Sequence, residues 1–112
     1  MDLTRPPFDD HRELIASPVA YEATQQLGAE MRADGVEALR YPSARDVHGG
    51  PNLALLSPAA FAEKAPSAPE SWHCTATRDL VEMTKKDFFE KKSFRFPRSD
   101  FEIEGRLPAP AP

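Results

Sequence analysis

The segment that most constrains the fold of this chain is residues 40–56, where two apolar stretches flank a polar turn. Pro42 fixes its own φ and favours an extended backbone at the preceding residue, so the first stretch is predicted to be a strand with a defined end. Gly49 and Gly50 allow positive φ or close backbone approach before the second stretch begins. The segment therefore predicts two neighbouring strands, with Ser43 just beyond the first.

Polar side chains are concentrated in and beside this turn. They are Ser43, Arg45, Asp46, His48 and Asn52. Such a group is either a binding site or an ordinary capped turn, and a serine after proline is by itself more typical of a cap. His48 has no evident orienting partner, so the pattern does not predict a protease-like serine nucleophile.

Two sequence features carry a resemblance to a known family. They are the motif Tyr41-Pro42-Ser43-x-Arg45 and the run Asn52-Leu53-Ala54-Leu55-Leu56. Together they resemble the C-terminal half of RES domains. The similarity includes Gly35 before the motif and residues 72–74 and 94–97 after it, and extends over residues 4–108. RES proteins are bacterial toxins of two-gene toxin-antitoxin modules, with a fold similar to that of ADP-ribosyltransferase toxins.

The resemblance implies that NAD is the substrate rather than a bound cofactor, and no prosthetic group is expected. The nicotinamide-ribose bond would be cleaved through an oxocarbenium-like state, with water or phosphate as the acceptor. Ser43 matches the serine of the three residues that give the family its name, and is the candidate catalytic residue. It would hydrogen-bond the ligand.

Two further residues are implied to bind NAD. The amide of Asn52 can both donate and accept hydrogen bonds, and would fix a ribose or nicotinamide group, although asparagine after Gly-Pro is commonly a turn residue. The planar guanidinium of Arg45 suits a pyrophosphate, but pairing with Asp46 or another carboxylate is an alternative.

The arginine and glutamate of the family lie well upstream of this motif, and nothing before Val36 matches the family's N-terminal half. We therefore expect residues 1–107 to be a partial RES domain, followed by a Pro/Ala-rich tail at residues 108–112. Such a truncated enzyme would be inactive alone. The alternative is a non-catalytic remnant or protein-binding module that associates with a helix-turn-helix antitoxin or another RES protomer. A truncated sheet should expose an edge and an apolar patch, which predicts self-association.

The composition of the chain excludes several classes of binding partner. The chain has 112 residues, enough for one small domain, and its formal net charge of −4 argues against nucleic acid as a partner. A single cysteine cannot form an internal disulfide, and no leader-like or membrane-spanning apolar segment is evident. We therefore expect a cytoplasmic protein without a membrane partner. Three histidines and Cys74 fit no compact metal-ligand spacing, so no metal is expected.

The predicted fold class is mixed α/β (α+β), a small twisted sheet with one principal helix. Ser17-Pro18 begins a helix over residues 18–34, and Gly35 ends it. Its apolar stripe is Ala20, Ala23, Leu27 and Met31. Residues 36–41 and 52–57 are predicted strands, the second buried on both faces. Before them, residues 2–5 are a candidate edge strand and residues 11–16 a helical turn.

Short elements are predicted for the rest of the chain. Ser57-Pro58 begins a short helix or turn, and residues 71–77 and 80–84 are strands that pair. Alternation predicts strands with one buried face at residues 93–96 and 101–105. Phe88 and Phe89 lie between lysine pairs, which favours a solvated loop with its aromatic rings tucked beneath it over a weak electrostatic contact with a partner.

Overall fold

The structure, a computed structural model, describes residues 1–109 and divides into two compact units, Met1–Ala62 and Glu63–Pro108. The mixed α/β class is confirmed, since both helices and strands are present. The expected single sheet is wrong, because the described strands form one sheet of two strands and another of three. Residues 110–112 of the predicted tail lie outside the described residues.

The first unit contains the principal helix and the first two strands. Its regular elements are α1 (Arg12–Ile15), α2 (Glu22–Ala33), β1 (Ala38–Pro42) and β2 (Pro51–Leu55), with 3-10 turns at Asp9–His11 and Pro58–Ala60. The helical turn predicted before α2 and the short helix after Ser57 are therefore confirmed. The Ser57 hydroxyl accepts a hydrogen bond from the backbone N–H of Ala59, at 3.2 Å, and caps that turn.

Helix α2 is shorter than predicted because Ser17 caps a separate turn. The Ser17 hydroxyl accepts hydrogen bonds from the backbone N–H groups of Val19 and Ala20, and the helix begins only after Tyr21. Gly35 ends it as expected, with φ of 77°. At that position a positive φ suits glycine because a Cβ would be strained.

Strands β1 and β2 pair antiparallel, with Tyr41 opposite Asn52. The predicted N-terminal edge strand is reduced to one parallel bridge, between Asp2 and Arg40. At this bridge the backbone N–H of the next residue, Leu3, donates to the Arg40 carbonyl at 2.7 Å. The N-terminal segment therefore lies along β1, on the edge away from β2.

The core of the first unit lies on one face of β1 and β2. Its buried residues are Leu3, Met31 and Leu39, and Leu27, Tyr41, Ala54 and Leu56 pack partly buried against them. Two predictions are wrong here. Ala20 and Ala23 are exposed, so the buried face of α2 is narrower than the predicted stripe. Strand β2 is buried on one face only, because α2 covers one side of the sheet and leaves Leu53 and Leu55 exposed.

The second unit is an antiparallel meander of β3 (Ser71–Ala76), β4 (Leu80–Lys86) and β5 (Lys91–Pro97). The predicted pairing of the strands at residues 71–77 and 80–84 is confirmed. The strand predicted at residues 101–105 is wrong. A 3-10 turn occupies Arg98–Phe101, and Glu104 and Gly105 then take positive φ, which turns the chain back on itself.

Alternation correctly predicts β5 as a strand but not its burial, since every residue of β3 and β5 is exposed. Phe88 and Phe89 are also exposed, so the prediction that their rings tuck beneath the loop is wrong.

The longest described helix, α2, has 12 residues, and no helix in the described part of the chain is long and apolar enough to span a membrane.

Candidate functional site

Ser43 caps the turn that follows β1. Its backbone N–H donates to the carbonyl of Gly50 at 2.8 Å, which extends the pairing of the two strands by one step. Its hydroxyl oxygen accepts hydrogen bonds from the backbone N–H groups of Arg45 and Asp46, at 3.2 and 3.1 Å. Because these bonds use the oxygen as an acceptor, the hydroxyl hydrogen can still donate to a ligand. A structural role and a ligand-binding role are therefore compatible.

Asp46 closes the other side of the same turn. Its carboxylate accepts hydrogen bonds from the backbone N–H groups of His48, at 2.9 Å, and Gly50, at 2.8 Å. These bonds hold the pKa of Asp46 below its ordinary value because they favour the charged form of the carboxylate. The bond from His48 has the largest effect, followed by the bond from Gly50. Gly49 completes the turn at φ of 66°, where glycine is favoured. The carboxylate thus fixes the loop that presents Ser43.

Acid should loosen this turn. Because the folded pKa of Asp46 is depressed, its contribution to stability is fully present above the unfolded pKa, about 4, and is lost as the pH falls through the folded pKa. NMR titration should show the amide signals of His48 and Gly50 moving together below that pH. Asp46→Asn should abolish that movement, whereas Asp34→Asn, at the end of α2, should retain it. Titration of the two amides in Asp46→Asn would contradict the assignment.

Arg45 connects the turn to the start of α2. Its Nη2 donates to the hydroxyl oxygen of Tyr21 at 2.8 Å, and the Tyr21 hydroxyl donates to the carbonyl of Pro18 at 2.5 Å. Arg45 is exposed, so its guanidinium has further donors that face solvent. The alternative pairing with Asp46 is not the arrangement found. Arg45 is held at the helix side of the turn.

A second guanidinium reaches the same turn from α1. Nη2 of Arg12 donates to the carbonyl of Gly49 at 3.3 Å. Sequence reasoning missed both Arg12 and Tyr21. Arg12 is 37 residues from its partner and Tyr21 is 24 residues from Arg45, and no local motif signals either contact.

A cavity of about 360 Å³ lies between α2 and the core face of the β1–β2 sheet. Its polar and small lining residues are Ser17, Tyr21, Thr24, Gly28, Tyr41 and Ala44, and core residues form the remainder. Small-molecule sites are typically largely apolar cavities of roughly 300–1,000 Å³ with a few polar groups. The cavity is therefore large enough for part of a ligand.

None of the predicted site residues Ser43, Arg45 and Asn52 lines this cavity. Ala44, which does line it, stands between Ser43 and Arg45 in the chain, and Arg45 is bonded to the lining residue Tyr21. Asn52 is exposed and lies opposite Tyr41, so its Cβ is on the same face of the sheet as the cavity. The structure thus places Ser43, Arg45 and Asn52 at one end of the sheet.

The remaining candidates do not join this group. His48 lies in the turn and is exposed, whereas His73 and Cys74 belong to β3 in the other unit. Within residues 1–109, no three histidine, cysteine, aspartate or glutamate side chains are placed to hold a metal ion. The side chains that the structure brings to this end of the sheet are the hydroxyl of Ser43, the guanidinium of Arg45 and the amide of Asn52.

Comparison with protein-family models identifies a family that this chain matches. The model described as RES domain matches residues 1–77, which include the turn, the cavity and β3. A search of curated proteins finds no match. The matched range ends before β4 and β5.

Proposed function

The chain belongs to the RES domain family, and we propose on that basis that its first unit binds NAD and serves in cleavage of the nicotinamide-ribose bond. NAD is the substrate, and water or phosphate is the acceptor. On this proposal the family's upstream arginine and glutamate have no counterpart in these residues, and activity requires a completing segment or a second polypeptide. In that role the protein is part of the toxin of a toxin-antitoxin module.

The observation that carries the proposal is the bond from Arg45 to Tyr21. It holds a guanidinium at the edge of the cavity, one residue from Ala44 and two from Ser43. A planar guanidinium with free donors recognises a pyrophosphate in two-point fashion. The apolar cavity beside it supports binding of an aromatic ring, and the two features together suit a dinucleotide.

The bond cleavage places specific demands on the remaining groups. As the bond between ribose C1′ and the nicotinamide nitrogen breaks, its electron pair leaves with nicotinamide and positive charge develops on the ribose. An oxygen of water or phosphate then adds to C1′, and the proton of that nucleophile is released. Ser43 and Asn52 are assigned to hold ribose or nicotinamide groups by hydrogen bonds, while a carboxylate must stabilise the developing charge.

The direct test measures NAD binding and NAD loss by NMR, with and without phosphate, for the 112-residue chain and its Ser43→Ala variant. We expect binding, and a loss of affinity of about tenfold in Ser43→Ala from one missing hydrogen bond. Ser57→Ala is the matched control, since it removes the same kind of serine cap from the turn that follows the other end of β2, away from Ser43. Equal losses in the two variants would assign Ser43 a structural role alone.

Turnover by the chain alone, abolished in Ser43→Ala, would show that the missing upstream residues are unnecessary. Absence of NAD binding to a folded chain would overturn the proposal. A second candidate function would then apply, a non-catalytic module that binds an antitoxin or another RES protomer. The exposure of Leu53 and Leu55 on the outer face of β2, 76% and 47%, favours that candidate. This candidate function predicts that the chain self-associates, as measured by sedimentation, and that Leu53→Ser weakens the self-association.

A further inference from the structure

The hairpin between β4 and β5 holds two aromatic rings away from the protein. Phe88 and Phe89 lie at its tip, 97% and 93% exposed, with ring centroids 6.2 Å apart. The turn is closed behind them by the backbone N–H of Asp87, which donates to the carbonyl of Glu90 at 3.3 Å. Single exposed apolar residues are common on proteins, but two adjacent phenylalanines with almost no contact are not explained by packing.

Four lysines surround the hairpin immediately behind these rings. Lys86 pairs across the strands with Lys91, and Lys85 with Lys92. Directly opposed like charges destabilise a strand pair, so this arrangement disfavours the isolated hairpin. Because successive side chains alternate between faces, one lysine pair lies on each face of the sheet. Lysine side chains therefore lie on both faces of the hairpin behind the rings.

Only one of these two pairs is neutralised within the described residues. Lys85 forms an ion pair with Glu70, and Lys92 one with Glu90 at 3.8 Å. Lys86 and Lys91 form no ion pair with any residue of the range 1–109. A chain with a net charge of −4 therefore has, at this tip, a local excess of lysine over carboxylate.

We propose that the tip formed by Asp87, Phe88, Phe89 and Glu90 docks on the surface of an anionic lipid bilayer. The two rings enter the boundary between headgroups and acyl chains, and the surrounding lysines contact lipid phosphates. A bilayer suits this geometry better than a pocket on a protein, because both rings project from the tip with almost no contact to the protein, and Lys86 and Lys91, which form no ion pair within residues 1–109, lie directly behind them. The contact is peripheral, and it departs from the expectation from the sequence that the chain has no membrane partner.

This proposal is independent of the NAD proposal, because residues 85–92 lie outside the range 1–77 that matches the family. The occupant is identified from charge complementarity and from the exposed rings alone. Removal of the rings should leave the fold intact, since neither ring fills space in the protein. Binding and folding are therefore separable by substitution.

The experiment is co-sedimentation of the 112-residue chain with phosphatidylcholine vesicles and with vesicles that also contain phosphatidylglycerol. We expect binding to the anionic vesicles only, weakened by salt. Phe88→Ser with Phe89→Ser, and Lys86→Gln with Lys91→Gln, should each reduce the partition coefficient by about tenfold or more. Phe61→Ser and Lys64→Gln are matched controls from exposed positions elsewhere, and should change it little. Far-UV circular dichroism checks the fold of each variant.

Three outcomes of the vesicle experiment would overturn the proposal. They are no binding to anionic vesicles, equal binding to both vesicle types, and binding that the double phenylalanine variant retains. Sedimentation of the chain without vesicles tests whether the tip instead contacts a second copy of the chain. If the tip substitutions instead dissociate a dimer of the chain, the tip is a protein-protein contact and the bilayer proposal fails.

Discussion

Replacing Leu39 with alanine is expected to destabilise the Met1–Ala62 unit by about 3 kcal/mol. Leu39 is 8% exposed and is one of only three buried hydrophobic residues in the core cluster. A small core has few other contacts to compensate, and total stabilities of small domains are themselves only about 5–15 kcal/mol. We expect a large part of this unit to unfold in mild denaturant.

Leu53→Ala is the matched control, since both residues lie in the same two-stranded sheet but Leu53 is 76% exposed. It should change the free energy of unfolding by about 0.5 kcal/mol or less. Urea unfolding followed by NMR of Tyr21 and Tyr41 reports on this unit, whereas the fluorescence of Trp72 reports on the other. Equal effects of the two substitutions would mean that the identified face is not the core.

Replacing Arg45 with alanine is expected to weaken NAD binding by roughly tenfold to a hundredfold, the usual range for a charge-assisted hydrogen bond to a phosphate. This rests on the proposed function. The side chain is exposed, so its removal should leave the fold intact. Calorimetric titration with NAD measures the effect. Arg45→Lys should give an intermediate affinity, because lysine keeps the charge without the planar fork.

Arg32→Ala is the control for loss of one positive charge, since Arg32 is exposed near the end of α2. Unchanged affinity in that variant would separate a specific contact from a general electrostatic effect. Tyr21→Phe should reproduce part of the loss, because it removes the hydroxyl that accepts from Arg45. Equal NAD affinities of the wild-type chain and Arg45→Ala would exclude a pyrophosphate contact at this residue.

Two contacts of Trp72 in the second unit affect how its fluorescence responds to pH. The rings of Trp72 and Phe94 lie 6.0 Å apart between centroids on an exposed face. Glu70 accepts hydrogen bonds from the Lys85 ammonium group and from the Trp72 indole. Both bonds lower the pKa of the Glu70 carboxyl, and the bond from Lys85 has the larger effect. Trp72 fluorescence should therefore respond to acid independently of events in the first unit.

The sequence determined the local backbone of the site. β1 ends at Pro42, one residue after the predicted end at Tyr41, and Gly35 ends α2 with positive φ. Gly49 also takes the positive φ that its position in the turn suggested. Ser43 caps the turn as the simpler of its two interpretations predicts. These outcomes depend on φ limits and on hydrogen bonds between residues a few positions apart, so a short sequence contains the necessary information.

Tertiary structure decided which faces are covered and which distant side chains meet. Alternation in β5 and the apolar run of β2 were compatible with burial, but neither pattern specifies whether another element packs on the strand. The bonds from Arg45 to Tyr21 and from Arg12 to Gly49 span 24 and 37 residues. Such contacts depend on how α1 and α2 pack against the sheet, and no local propensity encodes that arrangement.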